Sequence, residues 1–299
     1  MFADAHNDTL TLAFKEKKDL MKNDLHFDFE RAKKIGLLFQ NMAVWQDTKY
    51  NNYDMVGYAI NLAKQLDRYD AINIFTGCKF DVEKINVLLS IEDIAIINEI
   101  DQLYLLKDAN YRLATLTWNH KTHIAGGAFT NQGLSRFGED VLKQLLKLDF
   151  IVDLSHASYK TFYDAVNIIY KPFIVSHSNS YSLCNHVRNL KDDQIKIIKE
   201  YKGLIGINFY KPFLNATNNS TIVDIINHIK YIADIIGTDY ICFGSDFDGA
   251  FEFPENINGI ESLEIIKEYL QESGFTQKEV EQICYKNLIN FVKGYYNIK

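Results

Sequence analysis

The chain has 299 residues, of which 47% are hydrophobic and 24% are charged, and its formal net charge is −7. This composition is typical of a soluble globular protein, and an acidic chain lacks the basic surface that a general nucleic-acid binder needs. Because α/β barrels of about 250 residues fold as one unit, the length fits a single domain over residues 1–299.

The cysteines and the apolar segments favour a cytoplasmic protein. The cysteines are far apart and form no CxxC pair, so reduced and mostly buried thiols are expected rather than disulfides or a thiolate metal site. They are Cys78, Cys184, Cys242 and Cys284. No stretch reaches about 18 consecutive apolar residues, so no membrane span is expected. The first eight residues already carry polar groups, which argues against a signal peptide.

Short apolar runs alternate along the chain with longer amphipathic stretches. The runs are rich in Ile, Val, Leu and Phe without strict alternation, which predicts strands that are buried on both faces. In chain order they are Phe2–His6, Leu37–Trp45, Ile85–Glu92, Tyr111–Trp118, Phe150–His156, Phe173–His177, Leu204–Tyr210 and Tyr240–Asp246. Eight runs that alternate with helices predict a parallel, closed (β/α)8 TIM-like barrel of the α/β class.

The stretches between and after these runs predict helices. They are Tyr53–Tyr69, Ile94–Leu106, Glu139–Lys147, Tyr159–Ile169, Asp192–Tyr201, Ile222–Ile236, Ile260–Glu272 and Gln277–Gly294. In Ile222–Ile236, isoleucines recur at three- and four-residue spacing and form one apolar stripe. The glycine-containing stretch Asn119–Arg136 predicts a loop over the mouth of the barrel.

Side chains that can bind metals fall at the ends of the predicted strands. His6 and Asp8 follow the first run, Glu92 ends the third, and His156, His177 and Asp246 end the fifth, sixth and eighth. The carboxyl ends of barrel strands meet on one face, where the active sites of these folds lie. One such histidine is more often a structural residue, but this many ligand-type residues at five strand ends favours a functional site.

The number of these ligands predicts two metal ions. A tetrahedral ion in a catalytic site needs three protein ligands and a water, so three imidazoles and three carboxylates are too many for one ion. Two ions that share a carboxylate fit better. The predicted assignment is His6 and Asp8 on one ion, His156 and His177 on the other, Glu92 as the bridge and Asp246 as the proton carrier. This donor set suits two Zn²⁺, with Mn²⁺ or Co²⁺ as substitutes.

The same residues lie in motifs that resemble the renal (membrane) dipeptidase family of zinc peptidases, which are amidohydrolase-type barrels. The matching segments run in family order over essentially the whole chain, and their combination is specific. They are Asp4-Ala5-His6-Asn7-Asp8, Leu89-Ser90-Ile91-Glu92, Gly133-Leu134-Ser135, Val152-Asp153-Leu154-Ser155-His156, Ser176-His177-Ser178-Asn179, Arg188-Asn189-Leu190, Ile205-Gly206-Ile207-Asn208-Phe209-Tyr210 and Gly244-Ser245-Asp246-Phe247-Asp248-Gly249.

The resemblance implies a dinuclear zinc dipeptidase that cleaves free dipeptides with a hydroxide held between the metals. It implies the same metal ligands, Asp246 as the proton-transfer group, and Arg188 as the residue that holds the free carboxylate of the substrate. The planar guanidinium of an arginine suits this task because it pairs with a carboxylate through two hydrogen bonds. Without the resemblance, Arg188 is better interpreted as a surface cation in a loop. The resemblance also implies a homodimer.

Two departures from the family pattern bear on the site. Trp118 stands where the family often has a histidine near the scissile group. We expect His120 from the following loop to contact substrate instead, with His123 as the second choice and loop histidines without a role as the alternative. Asp93 stands where a glycine commonly follows the bridging glutamate.

Two alternatives remain open at this point. One is another amidohydrolase, which would cut N-acyl amino acids, lactones or cyclic amides with the same metals. The other is a barrel without catalysis that serves as a binding protein, and the presence of all the proposed ligands argues against it. Small dipeptides are the expected partners, with neither nucleic acid nor membrane.

Overall fold

Parallel strands form a closed barrel in a computed structural model that describes residues 1–47, 54–217 and 219–298. The strands are β1 (Phe2–Asn7), β2 (Leu37–Trp45), β3 (Ile72–Ile74), β4 (Ile85–Glu92), β5 (Tyr111–Thr115), β6 (Ile151–Asp153), β7 (Ile174–Ser178), β8 (Leu204–Ile207) and β9 (Ile241–Phe243). Their order in the sheet is β2-β1-β9-β8-β7-β6-β5-β4-β3, and the additional pairing of β2 with β4 closes the ring. The predicted eight-stranded (β/α)8 barrel is confirmed, with β3 as an extra strand that pairs beside the start of β4.

Helices surround the barrel. They are α1 (Thr9–Glu16), α2 (Phe29–Lys34), α3 (Met55–Lys64), α4 (Gln102–Asp108), α5 (Arg136–Lys147), α6 (Tyr159–Val166), α7 (Asp192–Glu200), α8 (Ile222–Ile236), α9 (Ser262–Glu272), α10 (Gln277–Glu281) and α11 (Asn287–Tyr295). Within the described ranges, no helix is long and apolar enough to cross a lipid bilayer.

Several strands end earlier than predicted, just before the polar residues at the mouth of the barrel. β6 ends at Asp153 and β9 ends at Phe243. His156 and Asp246, which lie beyond these ends, have φ angles of 64° and 63°. A left-handed backbone is incompatible with a strand, so the chain leaves the sheet where these side chains turn into the mouth.

The prediction of one helix over Ile94–Leu106 is wrong. The structure has a 3₁₀ turn at Ile94–Ile96 and then α4. Ile94 to Ile97 are all buried, so this segment lacks the polar face of a surface helix. Asp93 has a φ of 76°, and its side chain accepts a hydrogen bond from the Ala95 N–H. Glycine adopts this left-handed conformation without steric cost, which accounts for the residue that the family commonly has here.

Other differences from the predicted elements are smaller. The helix predicted over Tyr53–Tyr69 is α3 followed by a 3₁₀ turn at Gln65–Arg68, and Tyr53 lies outside the described residues. The helix predicted over Gln277–Gly294 is α10 and α11 joined by a π-helical turn at Gln282–Lys286. The short elements α1, α2 and β3 were not predicted, because eight, six and three residues show too little periodicity.

Strand β4 shows how the fold positions a side chain at the mouth. Val87, Leu89 and Ile91 pack in the large cluster beneath the helices, whereas Leu88 packs in a second cluster inside the barrel with residues of α11. Successive side chains of a strand point to opposite faces. Glu92, four residues after Leu88, therefore points to the inside at the carboxyl end of the strand.

Two glycines allow the barrel to close around the Ser176 backbone in β7. A Cβ atom at Gly206 would lie 1.8 Å from the Ser176 carbonyl oxygen, and one at Gly244 would lie 1.9 Å from the same oxygen. Real Cβ atoms do not approach a backbone oxygen so closely, so a side chain at either position would displace β7, which carries Ser176 and His177.

We therefore expect Gly206→Ala to lower the free energy of unfolding by about 1–3 kcal/mol, the usual cost of overpacking. The matched control is Gly294→Ala in α11, where nothing lies within 4 Å of the added Cβ. The control is expected to raise stability by about 0.5–1 kcal/mol, because alanine favours a helix over glycine. Urea denaturation of both variants measures the effects, and equal stability of the two would contradict the close packing around Ser176.

Candidate active site

The structure brings the five predicted metal ligands together at the carboxyl ends of the strands. His6 lies in β1, Glu92 ends β4, and His177 lies in β7, while Asp8 and His156 follow β1 and β6. All five residues are buried. Two groups of side chains have donor atoms within 4.8 Å of one another: His6 with Glu92 and His177, and His6 with Asp8 and Asp246.

The carboxylate of Glu92 lies between the two sets of ligands. Its Oε2 atom is 3.6 Å from the His6 Nε2 atom, and its Oε1 atom is 2.8 Å from His156 Nε2 and 3.6 Å from His177 Nε2. On the first side, His6 Nε2 is also 3.2 Å from Asp8 Oδ2. The two oxygens of one carboxylate thus face different ligand pairs, which is the arrangement of a bridging ligand.

Hydrogen bonds orient the imidazoles so that their Nε2 atoms face the centre of the site. His156 Nδ1 is 2.8 Å from the Asn119 Oδ1 atom, which can only accept, so Nδ1 carries the proton. His177 Nδ1 is 2.8 Å from Ser176 Oγ, which donates its own hydrogen to Asp153 Oδ2 at 2.6 Å and therefore accepts from the ring. Both Nε2 atoms are left as unprotonated acceptors.

This arrangement of acceptors fits a bound cation. The Nε2 atoms of His156 and His177 face each other at 2.7 Å, and the Glu92 oxygen lies beside them. Lone pairs at this distance repel unless a positive charge lies among them. Among the described residues, no Lys or Arg side chain forms an ion pair with Asp8 or Glu92. Imidazoles and carboxylates are ligands of zinc, so the chemistry of the donor set suits this metal.

The pKa values of the site residues follow from burial and from their neighbours. Burial and the nearby Arg188 lower the pKa of His156 to about 4, and burial with the His6 and His156 rings holds the pKa of His177 well below its usual value. These two imidazoles are therefore neutral. Burial, and after it the charge of Glu92, raises the pKa of Asp8 to about 8.

Asp246 lies at the edge of the same group of side chains. Its Oδ1 atom is 4.0 Å from His6 Nε2, and its Oδ2 atom accepts a hydrogen bond from Asn208 Nδ2 at 3.0 Å. Its backbone N–H donates to the His6 carbonyl oxygen at 3.1 Å. Burial and the charge of Glu92 raise the pKa of Asp246 to about 6.

Arg188 is buried, in contrast to the surface position expected without the family resemblance. Only 4% of the residue is exposed. Its Nη2 atom donates to the His177 carbonyl oxygen at 3.4 Å, its Cζ atom lies 5.4 Å from the centroid of the Phe213 ring, and its Nε atom has no hydrogen-bond partner within the described part of the chain. Burial lowers its pKa to about 10.

A cavity of about 550 Å³ opens onto these groups. It is lined by Asp8, Glu92, His156, Arg188 and Asp246, and by aromatic side chains that include Trp45, Trp118, Tyr210 and Phe213. This volume is that of a pocket for a small molecule.

His120 and His123, the two histidines of the loop after β5, are not among the residues that line this cavity. His120 is exposed, and its ring lies 6.0 Å from that of Phe129 and 5.9 Å from that of Trp118. It is not among the residues that line the cavity, and its contact with substrate stays a prediction. His123 Nε2 is 2.8 Å from the Ile97 carbonyl oxygen.

Sequence reasoning assigned no function to several residues that hold the site together. Ser176, Asp153 and Asn119 orient the imidazoles, and Asn208 holds Asp246. Ser176, Asp153 and Asn208 lie in the motifs that resemble the dipeptidase family, so these motifs could have indicated their importance. Asn119 was predicted only as the start of a loop.

A model of one protein family matches residues 1–297 of the chain, and its description is membrane dipeptidase, peptidase family M19. The chain belongs to this family. A curated relative, an uncharacterized protein in the pqqA 5' region of Klebsiella pneumoniae, is 32% identical over 56% of the chain and 64% of the relative. The uncharacterized dipeptidase C965.12 of Schizosaccharomyces pombe is 30% identical over 61% of the chain and 46% of the relative. The match thus spans less than two thirds of the length of either relative.

Two bacterial proteins of known structure have a similar fold. A metallo peptidase of Rhodobacter sphaeroides, liganded with a phosphinate mimic of the dipeptide L-Ala-D-Ala, superposes with a TM-score of 0.85 at 21% identity, covering 98% of each chain. The probable dipeptidase PvdM of Pseudomonas aeruginosa superposes with a TM-score of 0.87 at 14% identity, covering 99% of this chain and 96% of that one. At these identities the similarity establishes the fold alone.

The position of the Ser176 hydroxyl predicts that its removal weakens metal binding. It accepts from His177 Nδ1 and lies 3.4 Å from His6 Nδ1, so it orients ligands on both sides of Glu92. We expect Ser176→Ala to weaken Zn²⁺ binding by about 10–100-fold, the usual effect of removing a group that orients a metal ligand. Competition with a chromogenic chelator measures this affinity.

The control is Ser262→Ala, which removes another buried and hydrogen-bonded serine, in α9. It should leave the zinc affinity unchanged. Equal affinities for Ser176→Ala and the control would mean that Ser176 does not orient the ligands.

Proposed function

We propose that the chain is a dinuclear zinc dipeptidase that hydrolyses the peptide bond of free dipeptides, and that residues 1–299 act as one hydrolase domain. The observation that carries the proposal is the position of Glu92, whose two oxygens face different ligand pairs within a cavity that also contains a buried arginine. Membership of the membrane dipeptidase family supports the same reaction.

The metal-binding residues follow from the geometry around Glu92. His6 and Asp8 would hold one ion, His156 and His177 the other, and Glu92 would contact both. Two zinc ions supply Lewis acidity toward the scissile carbonyl and activate a water as the nucleophile, and Mn²⁺ or Co²⁺ can act in the same way.

Arg188 binds the free carboxylate of the substrate in this proposal. A buried guanidinium without an ionic partner is costly, and no described carboxylate pairs with Arg188. A dipeptide carboxylate that enters the cavity supplies this partner. The guanidinium is held from two sides, by the His177 carbonyl oxygen and by the Phe213 ring, so that its planar face is fixed before the substrate arrives.

Asp246 transfers the proton. Its side chain faces the cavity beside His6, within reach of a water near the ligands, and the hydrogen bond from Asn208 fixes one of its oxygens. The other oxygen is free to accept a proton from the attacking water and to deliver it to the amine that leaves.

The Schizosaccharomyces pombe relative is named a dipeptidase, and the Rhodobacter sphaeroides structure contains a dipeptide mimic. Both agree with a small peptide as the substrate of this chain. A cavity of about 550 Å³ is also of suitable size for a dipeptide.

We expect Asp246→Asn to keep close to two metals per chain and to lose about 10²–10⁴-fold in kcat, because an amide cannot accept the proton. Elemental analysis and dipeptide turnover are measured on the same preparation. The comparison variant is Asp8→Asn, which should lose metal as well as activity. A metal-replete Asp246→Asn enzyme with normal kcat would exclude proton transfer, and loss of an ion from it would make Asp246 a ligand instead.

A double cycle tests Arg188. Wild type and Arg188→Leu are each assayed on a free dipeptide and on the same dipeptide amidated at its C-terminus. Each single change should lower kcat/KM by about 10–100-fold, because charge-assisted hydrogen bonds are worth about 1.5–3 kcal/mol. When both changes are made, kcat/KM should fall by much less than the product of the two single losses, because the first change has already removed the interaction.

If the two penalties multiply instead, Arg188 does not contact the substrate carboxylate. If amidation of the dipeptide carries no penalty at all, the reaction is that of an amidohydrolase that needs no free carboxylate, such as one acting on lactones or cyclic amides.

A further inference from the structure

The two tryptophans of the chain lie together in the wall of the cavity. Trp45 ends β2 and is in register with Glu92 of β4, so its side chain starts beside the bridging carboxylate. Trp118 follows β5, the next strand of the ring. The ring centroids are 5.0 Å apart and the rings are tilted by 54°, so the two indoles contact each other and form one continuous aromatic wall of the cavity.

The tryptophan pair (Trp45 and Trp118) lies across the barrel from Arg188. In the ring of strands, β2, β4 and β5 are consecutive and form one arc, whereas Arg188 follows β7 and packs on Phe213, which follows β8. The predicted metal ligands come from β1, β4, β6 and β7 or directly follow these strands, so their side chains meet in the mouth of the barrel next to both sides. The Trp118 ring, for example, is 6.1 Å from the ring of His156.

This arrangement predicts the orientation of a dipeptide in the cavity. A dipeptide held by its carboxylate at Arg188 places its C-terminal residue on the side of β7 and β8. Its scissile carbonyl then lies over the ligands, and its N-terminal residue continues toward β2 and β5. On that side the cavity is lined by the two indoles and by Thr11, Leu12 and Lys15 of α1, and the indoles are the largest apolar side chains among them.

We propose that the tryptophan pair is the binding site for the side chain of the N-terminal residue and makes the enzyme selective for dipeptides that begin with an aromatic or large aliphatic residue. This inference rests on the proposed dipeptidase function. An aromatic side chain buries about 150–250 Å² and gains further from tilted ring contacts, and glycine gains neither. Selectivity at this position is therefore the property that the pair controls.

Packing holds the tryptophan pair in place, so conservative substitutions of the two residues can be used to test it. Trp45 Nε1 is buried without a hydrogen-bond partner among the described residues, so Trp45→Phe removes no hydrogen bond. Trp118→Phe likewise keeps an aromatic ring in the wall of the cavity. Trp118→Ala removes one of the two rings that form this wall. A control for the loss of an aromatic ring is Tyr170→Ala, which lies in the α6–β7 connection at the other end of the barrel and is 67% exposed.

The first experiment measures kcat/KM for two series of dipeptides, X-Ala and Ala-X, with X as Gly, Leu or Phe. For the wild type and Tyr170→Ala we expect Phe-Ala to exceed Gly-Ala by about 10–100-fold, and for Trp118→Ala we expect this ratio to fall to within about threefold. Trp118→Phe should retain most of the preference. The Ala-X ratios should be the same in all four proteins.

The second experiment measures binding without turnover. Since the chain has two tryptophans and both line the cavity, the emission of the single-tryptophan variants Trp45→Phe and Trp118→Phe reports on each indole separately. A phosphinate analogue of Phe-Ala should change the emission of both variants, and an analogue of Gly-Ala should change it much less at equal occupancy of the inhibited enzyme.

The outcomes separate this inference from the proposed function. If no dipeptide is hydrolysed by metal-replete enzyme, the proposed function fails. If dipeptides are hydrolysed but the X-Ala preference survives in Trp118→Ala, or if the Ala-X series changes instead, the tryptophan pair does not bind the N-terminal side chain. Equal emission changes with both analogues would also overturn the assignment.

Discussion

The burial of acceptor atoms around Glu92 is the constraint on which the rest of the site depends. His156 and His177 present unprotonated nitrogens to each other at 2.7 Å, with a carboxylate oxygen of Glu92 beside them. Taking such groups out of water is costly, and no Lys or Arg among the described residues forms an ion pair with Glu92. The cavity, the buried arginine and the proton-transfer carboxylate are all arranged around this cluster of negative potential, which is why divalent metal is the simplest partner for it.

Two further buried carboxylates hold the strands that carry the site. Asp4 in β1 accepts hydrogen bonds from the Ser245 N–H and hydroxyl and from Gln40 of β2. Asp153 in β6 accepts from the backbone and hydroxyl of Ser176 in β7. Each carboxylate thus ties its own strand to neighbouring segments directly below a predicted metal ligand. Hydrogen-bonded buried charges of this kind restrict the possible arrangements, because any shift of a strand would leave an acceptor unsatisfied.

The sequence predicted the features that depend on local pattern. Continuous apolar runs marked the eight barrel strands, and ligand-type residues at their ends marked the side chains that meet at the mouth. It did not predict that Ser176 and Asn119 orient the imidazoles, because such contacts depend on side-chain rotamers and on which strands are neighbours. It also failed at Ile94–Leu106, where buried apolar residues form a 3₁₀ turn at Ile94–Ile96 and the helix begins only at Gln102. The position of Trp118 inside the cavity depends on the path of the loop after β5, which no periodicity encodes.

The pairing of β1 with β9 has a consequence for synthesis in the cell. The Ser245 N–H donates to Asp4 across 241 positions of the sequence, and the backbone of Asp246 is bonded to that of His6. At a translation rate of about 5–20 residues per second, the ribosome needs roughly 10–50 s to make the segment that separates them. During this time the nascent chain exposes His6 and Asp8 without the other half of their site. In the proposed metal site, tight binding would therefore have to wait until the barrel closes and brings these ligands together with the others.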